Sequence, residues 1–265
     1  MTDLAVKYLD DVIAIANATS PVILDIYHSS FNVQHKDDLT PVTDADVAAD
    51  KFIVDALSRL TPDIPILSEE SGEIAFDQRK HWQSYWLVDP LDGTREFIKR
   101  NGEFTINIAL IENGVAILGV IQQPVTGVCY YAARGAGAFK SENGSAPVPL
   151  SVRSKPADSL IIAGSRSHWD TSLDAFLEKI GSHELIRLGS SLKSCLVAEG
   201  EADIYLKRGP TSEWDTAAAQ VIVEEAQGAI VTLDMQPLRY NTKESLLNPH
   251  FMVIGDTRFP WRDFL

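Results

Sequence analysis

Apolar residues return every three to four positions along residues 2 to 28, where Leu4, Leu9, Val12, Ile13 and Ala16 share one face. That period predicts an amphipathic helix. Pro21 lacks a backbone donor and is expected to break or kink it. Residues 31 to 44, FNVQHKDDLTPVTD, are polar and loop-like. The helical period resumes in ADVAADKFIVDALSRL, residues 45 to 60, with Thr43 or Asp44 as N-cap and Pro62 just beyond the end. IPILSEESG gives a short apolar strand and an acidic turn, and YWLV gives another strand. FTINIALIENGVAILGVIQQP, residues 104 to 124, holds two strand-like runs around Asn113-Gly114, a strong hairpin signal. GVCYYAAR continues as a third strand. The first half therefore reads as helices plus an antiparallel meander, an α+β arrangement.

After Pro147 and Pro149 the rhythm changes. SLIIAG, ELIRLG, ADIYLK and GAIVTL read as strands, and DTSLDAFLEKI, SLKSCLVAEG and EWDTAAAQVIVEEAQG read as the helices between them. This alternation is an α/β pattern. A boundary is expected between residues 145 and 157, giving an N-terminal lobe, 1 to 150, and a C-terminal lobe, 151 to 265, packed together.

The chain has 265 residues, 45% of them hydrophobic, enough to bury a substantial core. Its longest apolar runs, such as Val115 to Ile121, are far too short to span a bilayer. The opening MTDLAVKYLDDV mixes acids with apolar residues and lacks a basic start, so it does not read as a secretory leader. Cys129 and Cys195 lie far apart without metal-like spacing, and a reduced cytoplasmic setting with buried thiols is expected. A net charge of −14 argues against nonspecific nucleic-acid binding and against adhesion to anionic lipid. An anionic substrate would need local neutralisation by a metal ion or a few placed lysines and arginines.

Three acidic features sit at the ends of regular elements. Glu69 and Glu70 follow one strand, Asp89 and Asp92 follow the next in WLVDPLDGTREF, and Asp215 falls in the first turn of a helix. Each has a plain structural reading. Acids favour a helix's first turn, paired glutamates suit a solvated turn, and Asp-Pro and Asp-Gly are common turn dipeptides. Together they point to a cation that relieves their mutual repulsion. Carboxylate oxygens and the Leu91 carbonyl, with no His or Cys pattern nearby, favour Mg²⁺, Mn²⁺ or Ca²⁺ over Zn²⁺. Gly93 allows close approach, and the amides of Gly93 and Thr94, opening a short helix from Thr94 to Lys99, are placed to meet a phosphate oxygen.

WLVDPLDGTREF (86 to 97), WDTAAAQVIVEEAQG (214 to 228), PVTDAD (41 to 46) and LSEESGE (67 to 73) together resemble the magnesium-dependent, lithium-sensitive phosphatases of the inositol monophosphatase superfamily. The resemblance runs through nearly the whole chain and implies a layered αβαβα sandwich. It implies that Glu69, Asp89 and the Leu91 carbonyl hold one Mg²⁺, that Asp89, Asp92 and Asp215 hold a second, and that a third, looser Mg²⁺ lies near Glu69. Thr94 and Asp46 would orient and deprotonate the attacking water, with Glu70 assisting. Lys36 and Asp38 would belong to a loop over the metals.

GSSLKSCLVAEGEADIYLKRGPTSEWDTAA (189 to 218) and PLRYNTKESLLNPHF (237 to 251) resemble the superfamily's bacterial 3′(2′),5′-bisphosphate nucleotidase branch. That implies hydrolysis of the 3′-phosphate of adenosine 3′,5′-bisphosphate to AMP, with 3′-phosphoadenylyl sulfate as a second candidate, in sulfur assimilation. Ser190, Lys193 and Lys207 would contact ribose and phosphates, His168 the base or ribose, and Glu69, Leu91, Asp92, Gly93, Thr94 and Asp215 the reacting phosphate and its metals. The plainer readings are solvated charge for the two lysines and a helix N-cap for Ser190. Arg95 and Glu96 depart from the smaller polar residues of many superfamily members and would alter the charge at the cleft rim. Inositol phosphate or a sugar bisphosphate is the alternative substrate. A cytoplasmic monomer or homodimer is expected, peripheral at most to the inner membrane.

Overall fold

The computed structural model describes residues 2–35, 41–72, 74–153, 159–167 and 172–265. Lys36, Asp38 and His168 lie outside them. In chain order the first part runs α1 (Thr2–Tyr27), β1 (Val33–His35), β2 (Pro41–Thr43), α2 (Asp44–Leu60), β3 (Ile66–Ser68), α3 (Phe76–Arg79), β4 (Ser84–Asp92), α4 (Thr94–Ile98), β5 (Thr105–Glu112), β6 (Val115–Gln123), β7 (Val128–Ala133), β8 (Gly137–Glu142) and β9 (Val148–Pro149). The second runs β10 (Leu160–Ser165), α5 (Ser172–Ile180), β11 (His183–Leu188), α6 (Leu192–Ala198), β12 (Ile204–Lys207), α7 (Ala217–Glu225), β13 (Ala229–Thr232) and β14 (Phe251–Ile254).

Helix α1 is continuous through Pro21, so the expected break does not occur. Pro21 and Asn17, whose carbonyl loses its helical partner, are both exposed, so that carbonyl is open to solvent rather than buried unpaired. The Thr19 hydroxyl donates to the carbonyl of Ile15 at 2.8 Å on the buried side. Helix α2 starts as expected at an N-cap, which is Thr43.

Seven strands form one sheet in the order β3-β4-β5-β6-β7-β8-β9. Only β3 and β4 pair in parallel; the rest is an antiparallel meander whose β5–β7 part was read from the sequence, while β8 and β9 were not. The β5–β6 turn places Asn113 at φ 52° and Gly114 at φ 75°, the double left-handed conformation that a two-residue hairpin requires. Five strands form the second sheet in the order β11-β10-β12-β14-β13. Here β10 runs parallel to β11 and β12, while β14 runs antiparallel to β12 and β13. Strand β14 was not foreseen, because it hides at the end of a long polar segment.

The layers stack as αβαβα. Helices α1 and α2 cover one face of the large sheet, α6 and α7 fill the space between the sheets, and α5 covers the far face of the small sheet. Three apolar cores fill the four interfaces, the middle one spanning both faces of the central helix layer. The middle one draws Leu87, Ile111 and Tyr130 from the first sheet, Ala163 and Val253 from the second, and Cys195, Val221 and Val223 from the helices between. Helix α7 lies unusually close to β6: a Cβ on Gly119 would sit 2.3 Å from the carbonyl oxygen of Ala218. No helix among the described residues is long and apolar enough to cross a membrane.

Candidate active site

The acidic features meet where strand ends and helix starts from both sheets converge. Strand β3 pairs with β4 so that Ser68 faces Val88, and the Glu69 N–H donates to the Val88 carbonyl at 3.0 Å. Glu69 therefore leaves its strand level with Asp89. Asp89 to Asp92 is not the free turn the dipeptides predict. Strand β4 continues to Asp92, pairing Asp89 with Asn107 and Asp92 with Thr105, so that three steps on one strand oppose two on the other. This is a one-residue bulge. It re-aims the backbone so that both aspartates face partners on one side of β5, which a regular strand would not allow. Within it the Asp89 Oδ1 accepts the Leu91 N–H at 3.1 Å.

Asp215 comes from across the molecule. The helix expected from Glu213 onward splits into a single tight turn, Glu213–Asp215, and then α7. Asp215 Oδ2 accepts the Ser212 N–H at 2.8 Å, so the cap reading is correct for one of its oxygens. Yet Glu69, Asp89 and Asp215 each offer a carboxylate oxygen within 4.8 Å of the others. Burial raises the Asp89 carboxyl well above its usual range, and the charges of Glu69, Asp92, Asp215 and Asp46 raise it further. Asp215 is pushed up to about 8, by burial first and then by Asp92 and Glu69. Acids that resist ionising together are what a divalent cation would neutralise. The donor set is all hard oxygen, so these residues fit Mg²⁺.

Asp92 stands apart from that triad. Its Oδ2 accepts from the Ser191 hydroxyl at 2.6 Å and from Asn107 Nδ2 at 3.4 Å. Sequence reasoning passed over both donors. A clue was there: Thr105 and Asn107 are polar at alternate positions of an otherwise apolar strand, which puts two buried polar groups on one face.

Thr94 opens α4, and its hydroxyl donates to Asp46 Oδ1 at 3.1 Å while lying 3.5 Å from the Leu91 carbonyl. Asp46 sits in the first turn of α2, where its Oδ2 accepts from both the N–H and the hydroxyl of Thr43, at 2.7 and 2.6 Å. Burial raises the Asp46 carboxyl, against the lowering effect of those bonds. Glu70 is half-buried in the turn that Ser71 closes by donating to the Ser68 carbonyl at 3.1 Å, outside the triad.

Gly93, at φ 97°, abuts the second half of the chain: a Cβ there would meet Ser190 Cβ at 3.3 Å. Ser190 itself is left-handed at φ 47°. Ser191, not Ser190, holds the N-cap position of α6. Lys193 is only 6% exposed, so it is no solvated surface charge. Its Nζ donates to the Ser190 carbonyl and lies 5.3 Å from the Tyr205 ring centre. Burial lowers it to about 8; Asp92 opposes that and Lys207 adds to it. Lys207 is half-buried at the end of β12.

Comparison with known proteins places the chain in a family. The pattern of the inositol monophosphatase family matches residues 7–257. The chain is 47% identical over 247 residues to the 3′(2′),5′-bisphosphate nucleotidase CysQ of Escherichia coli strain K12, covering 92% of this chain and 98% of that one. It is 42% identical over 264 residues to the CysQ of Aggregatibacter actinomycetemcomitans, covering 98% and 97%. The crystal structure of CysQ from Bacteroides thetaiotaomicron superposes with a TM-score of 0.81 at 38% identity, covering 94% of this chain and 98% of that one. The chain belongs to the inositol monophosphatase family.

Proposed function

We propose that this protein is a Mg²⁺-dependent 3′(2′),5′-bisphosphate nucleotidase. It removes the 3′-phosphate of adenosine 3′,5′-bisphosphate, giving AMP and phosphate, and takes 3′-phosphoadenylyl sulfate as a second substrate. The observation that carries this reading is the cluster of Glu69, Asp89 and Asp215 beside the Thr94–Asp46 hydrogen bond. The 47% identity to CysQ supports the choice of substrate.

Glu69, Asp89 and the Leu91 carbonyl would hold one cation; Asp89, Asp92 and Asp215 a second; a third would sit more loosely near Glu69. When bound, the cations would neutralise charge on the transferring phosphoryl group and on the leaving oxygen. The remaining work belongs to the chain. Thr94 donates its hydroxyl proton to Asp46, so its oxygen lone pairs remain to accept a proton from the attacking water. As Thr94 takes that proton it passes its own to Asp46, whose raised carboxyl is the better receiver for being buried. Asp46 is held still for this by Thr43. Glu70 assists from the turn after β3. Gly93 lets the phosphate approach the backbone. Lys193, Lys207 and Ser190 would bind the nucleotide's ribose and second phosphate. In this reading the lobe of residues 1–150 supplies most cation ligands, and the lobe of residues 151–265 supplies Asp215 and the nucleotide contacts.

The test is phosphate release with Mg²⁺, with and without Li⁺, from adenosine 3′,5′-bisphosphate, 3′-phosphoadenylyl sulfate, inositol 1-phosphate and fructose 1,6-bisphosphate side by side. Faster release from inositol 1-phosphate would overturn the substrate assignment. Tight nucleotide binding without Mg²⁺-dependent release would overturn the enzymatic one.

A further inference from the structure

Ser191 occupies the N-cap position of α6 but does not cap it: its side chain makes no hydrogen bond to the helix. The hydroxyl is turned instead toward the acidic cluster. It donates to Asp92 Oδ2 at 2.6 Å, accepts from Asn107 Nδ2 at 2.9 Å and lies 3.1 Å from the carbonyl oxygen of Asp215. Asn107 is oriented in turn, because its Oδ1 accepts the Thr105 hydroxyl at 3.1 Å, which directs its NH₂ toward Ser191 and Asp92. Thr105, Asn107 and Ser191 are all buried.

A serine that forgoes its helix cap for a buried carboxylate needs a reason, since capping is worth about 1 kcal/mol. Stability alone does not supply it. The hydrogen bonds hold the Asp92 carboxylate close to Asp89 and Asp215, where its charge raises both of those carboxyls. The chain therefore concentrates charge that a folded protein would do better without. It also gives that charge a fixed direction. The hydrogen bonds recorded to Asp92 all go to Oδ2, so one oxygen is tied among the described residues and the carboxylate cannot rotate freely. Donors behind a ligating carboxylate set its orientation and its basicity, and their loss costs about 10–100-fold in metal affinity.

We propose that Ser191, held by Asn107 and Thr105, is a positioning residue that fixes the Asp92 carboxylate for a divalent cation. The chain crosses between the two sheets: Thr105 and Asn107 stand on β5, and Ser191 stands between β11 and α6. Cation affinity is thereby tied to the contact between them. The inference rests on the phosphatase reading of the site but adds residues that the reading does not use.

The experiment measures Mg²⁺ binding by calorimetry, melting in chelator, and phosphate release against Mg²⁺ concentration. Five proteins are compared: the unaltered chain, Ser191→Ala, Thr105→Val, Thr105→Ser and the double variant Ser191→Ala with Thr105→Val. Ser191→Ala is expected to raise the Mg²⁺ midpoint about tenfold, in calorimetry and in turnover alike, with kcat largely restored at saturation. Thr105→Val keeps the shape and loses the hydroxyl, so its midpoint rises by a smaller factor. Thr105→Ser keeps the hydroxyl and loses a methyl, so it melts earlier with an unchanged midpoint. The double variant Ser191→Ala with Thr105→Val should bind Mg²⁺ no worse than Ser191→Ala alone, because the two act through one chain. An unchanged midpoint in Ser191→Ala overturns the inference while the phosphatase reading stands. If Ser191→Ala does not fold, equal midpoints in the two Thr105 variants overturn it in the same way. An unaltered chain that binds no Mg²⁺ and releases no phosphate overturns the reading beneath it.

Discussion

The charge cluster predicts a stability profile opposite to the usual one. Asp215 stands at about 8 in the folded protein against an ordinary 3.8. Between those two values the folded chain keeps a proton that the unfolded chain releases. Stability therefore falls as pH rises, at about 1.4 kcal/mol per pH unit for one such group. From about pH 5 to about pH 7.5 Asp215 alone would cost on the order of 3 kcal/mol, or roughly 6–12 °C in melting temperature for a chain of this size. Glu213, pushed up to about 7 by burial, acts with the same sign, as do Asp89 and Asp46. Lys193 does not interfere: its depressed value of about 8 makes stability rise with pH only above that point. The assay is scanning calorimetry of chelator-treated protein across this range at constant ionic strength, repeated with saturating Mg²⁺. Metal-free protein should melt earlier at each higher pH. With Mg²⁺ the carboxylates are held ionised, so the slope should flatten or reverse and the melting temperature at about pH 7.5 should exceed the metal-free one. A metal-free melting temperature that stays level or climbs over this interval, or a slope that Mg²⁺ leaves untouched, would refute the reasoning.

Other perturbations test separate links. Asp89→Asn should abolish turnover and raise the metal-free melting temperature, since it removes the most crowded charge; near wild-type turnover at saturating Mg²⁺ would end its proposed role between two cations. Thr94→Val should lower kcat by about 10²–10⁴ while calorimetry shows Mg²⁺ binding retained, as befits a residue that moves a proton. Gly119→Ala should destabilise by about 3 kcal/mol or more in urea unfolding, because its methyl would overlap the Ala218 backbone; a cost of only a few tenths would mean that α7 yields freely. Both thiols should resist a thiol-specific reagent in the native state, since Cys129 is pushed up to about 12 and Cys195 well above its ordinary value by burial; labelling at the rate of the unfolded chain would show that the central layer opens.

What could be read in advance follows from the range of the interaction. The meander from β5 to β7 and the hairpin at Asn113-Gly114 were legible because period and turn chemistry are local. The acids at 69, 89 and 215 were legible as a group because carboxylates at element ends are conspicuous. The bulge in β4 was not, since Asp-Pro-Leu-Asp-Gly reads as a turn until Asn107 and Thr105 are seen to pair with it. Nor was the choice between Ser190 and Ser191, adjacent and identical in type. Only the left-handed backbone at Ser190 and the position of Asp92 across the interface separate them. For Lys193 the plainer alternative to a nucleotide contact was solvated charge; its burial, set by Tyr205 and by packing that no neighbour in sequence announces, removes that alternative. Pro21 reads as a break from its missing donor alone; that it falls on the exposed face of α1 is set by the fold.

The close seat of α7 on Gly119 bears on the order in which the molecule is made. When every residue through β9 has been delivered, all seven strands of the large sheet are present but the helices of its second cover are not. Leu87, Ile111, Ile121 and Tyr130 would then face water until residues 192–225 arrive. Asp215 immediately precedes the helix that fills that gap. The last acid of the cluster is thus delivered by the same event that closes the apolar face, and Mg²⁺ finds its full ligand set only on a finished chain. A fragment ending near residue 150 should aggregate rather than wait, and added Mg²⁺ should not rescue it.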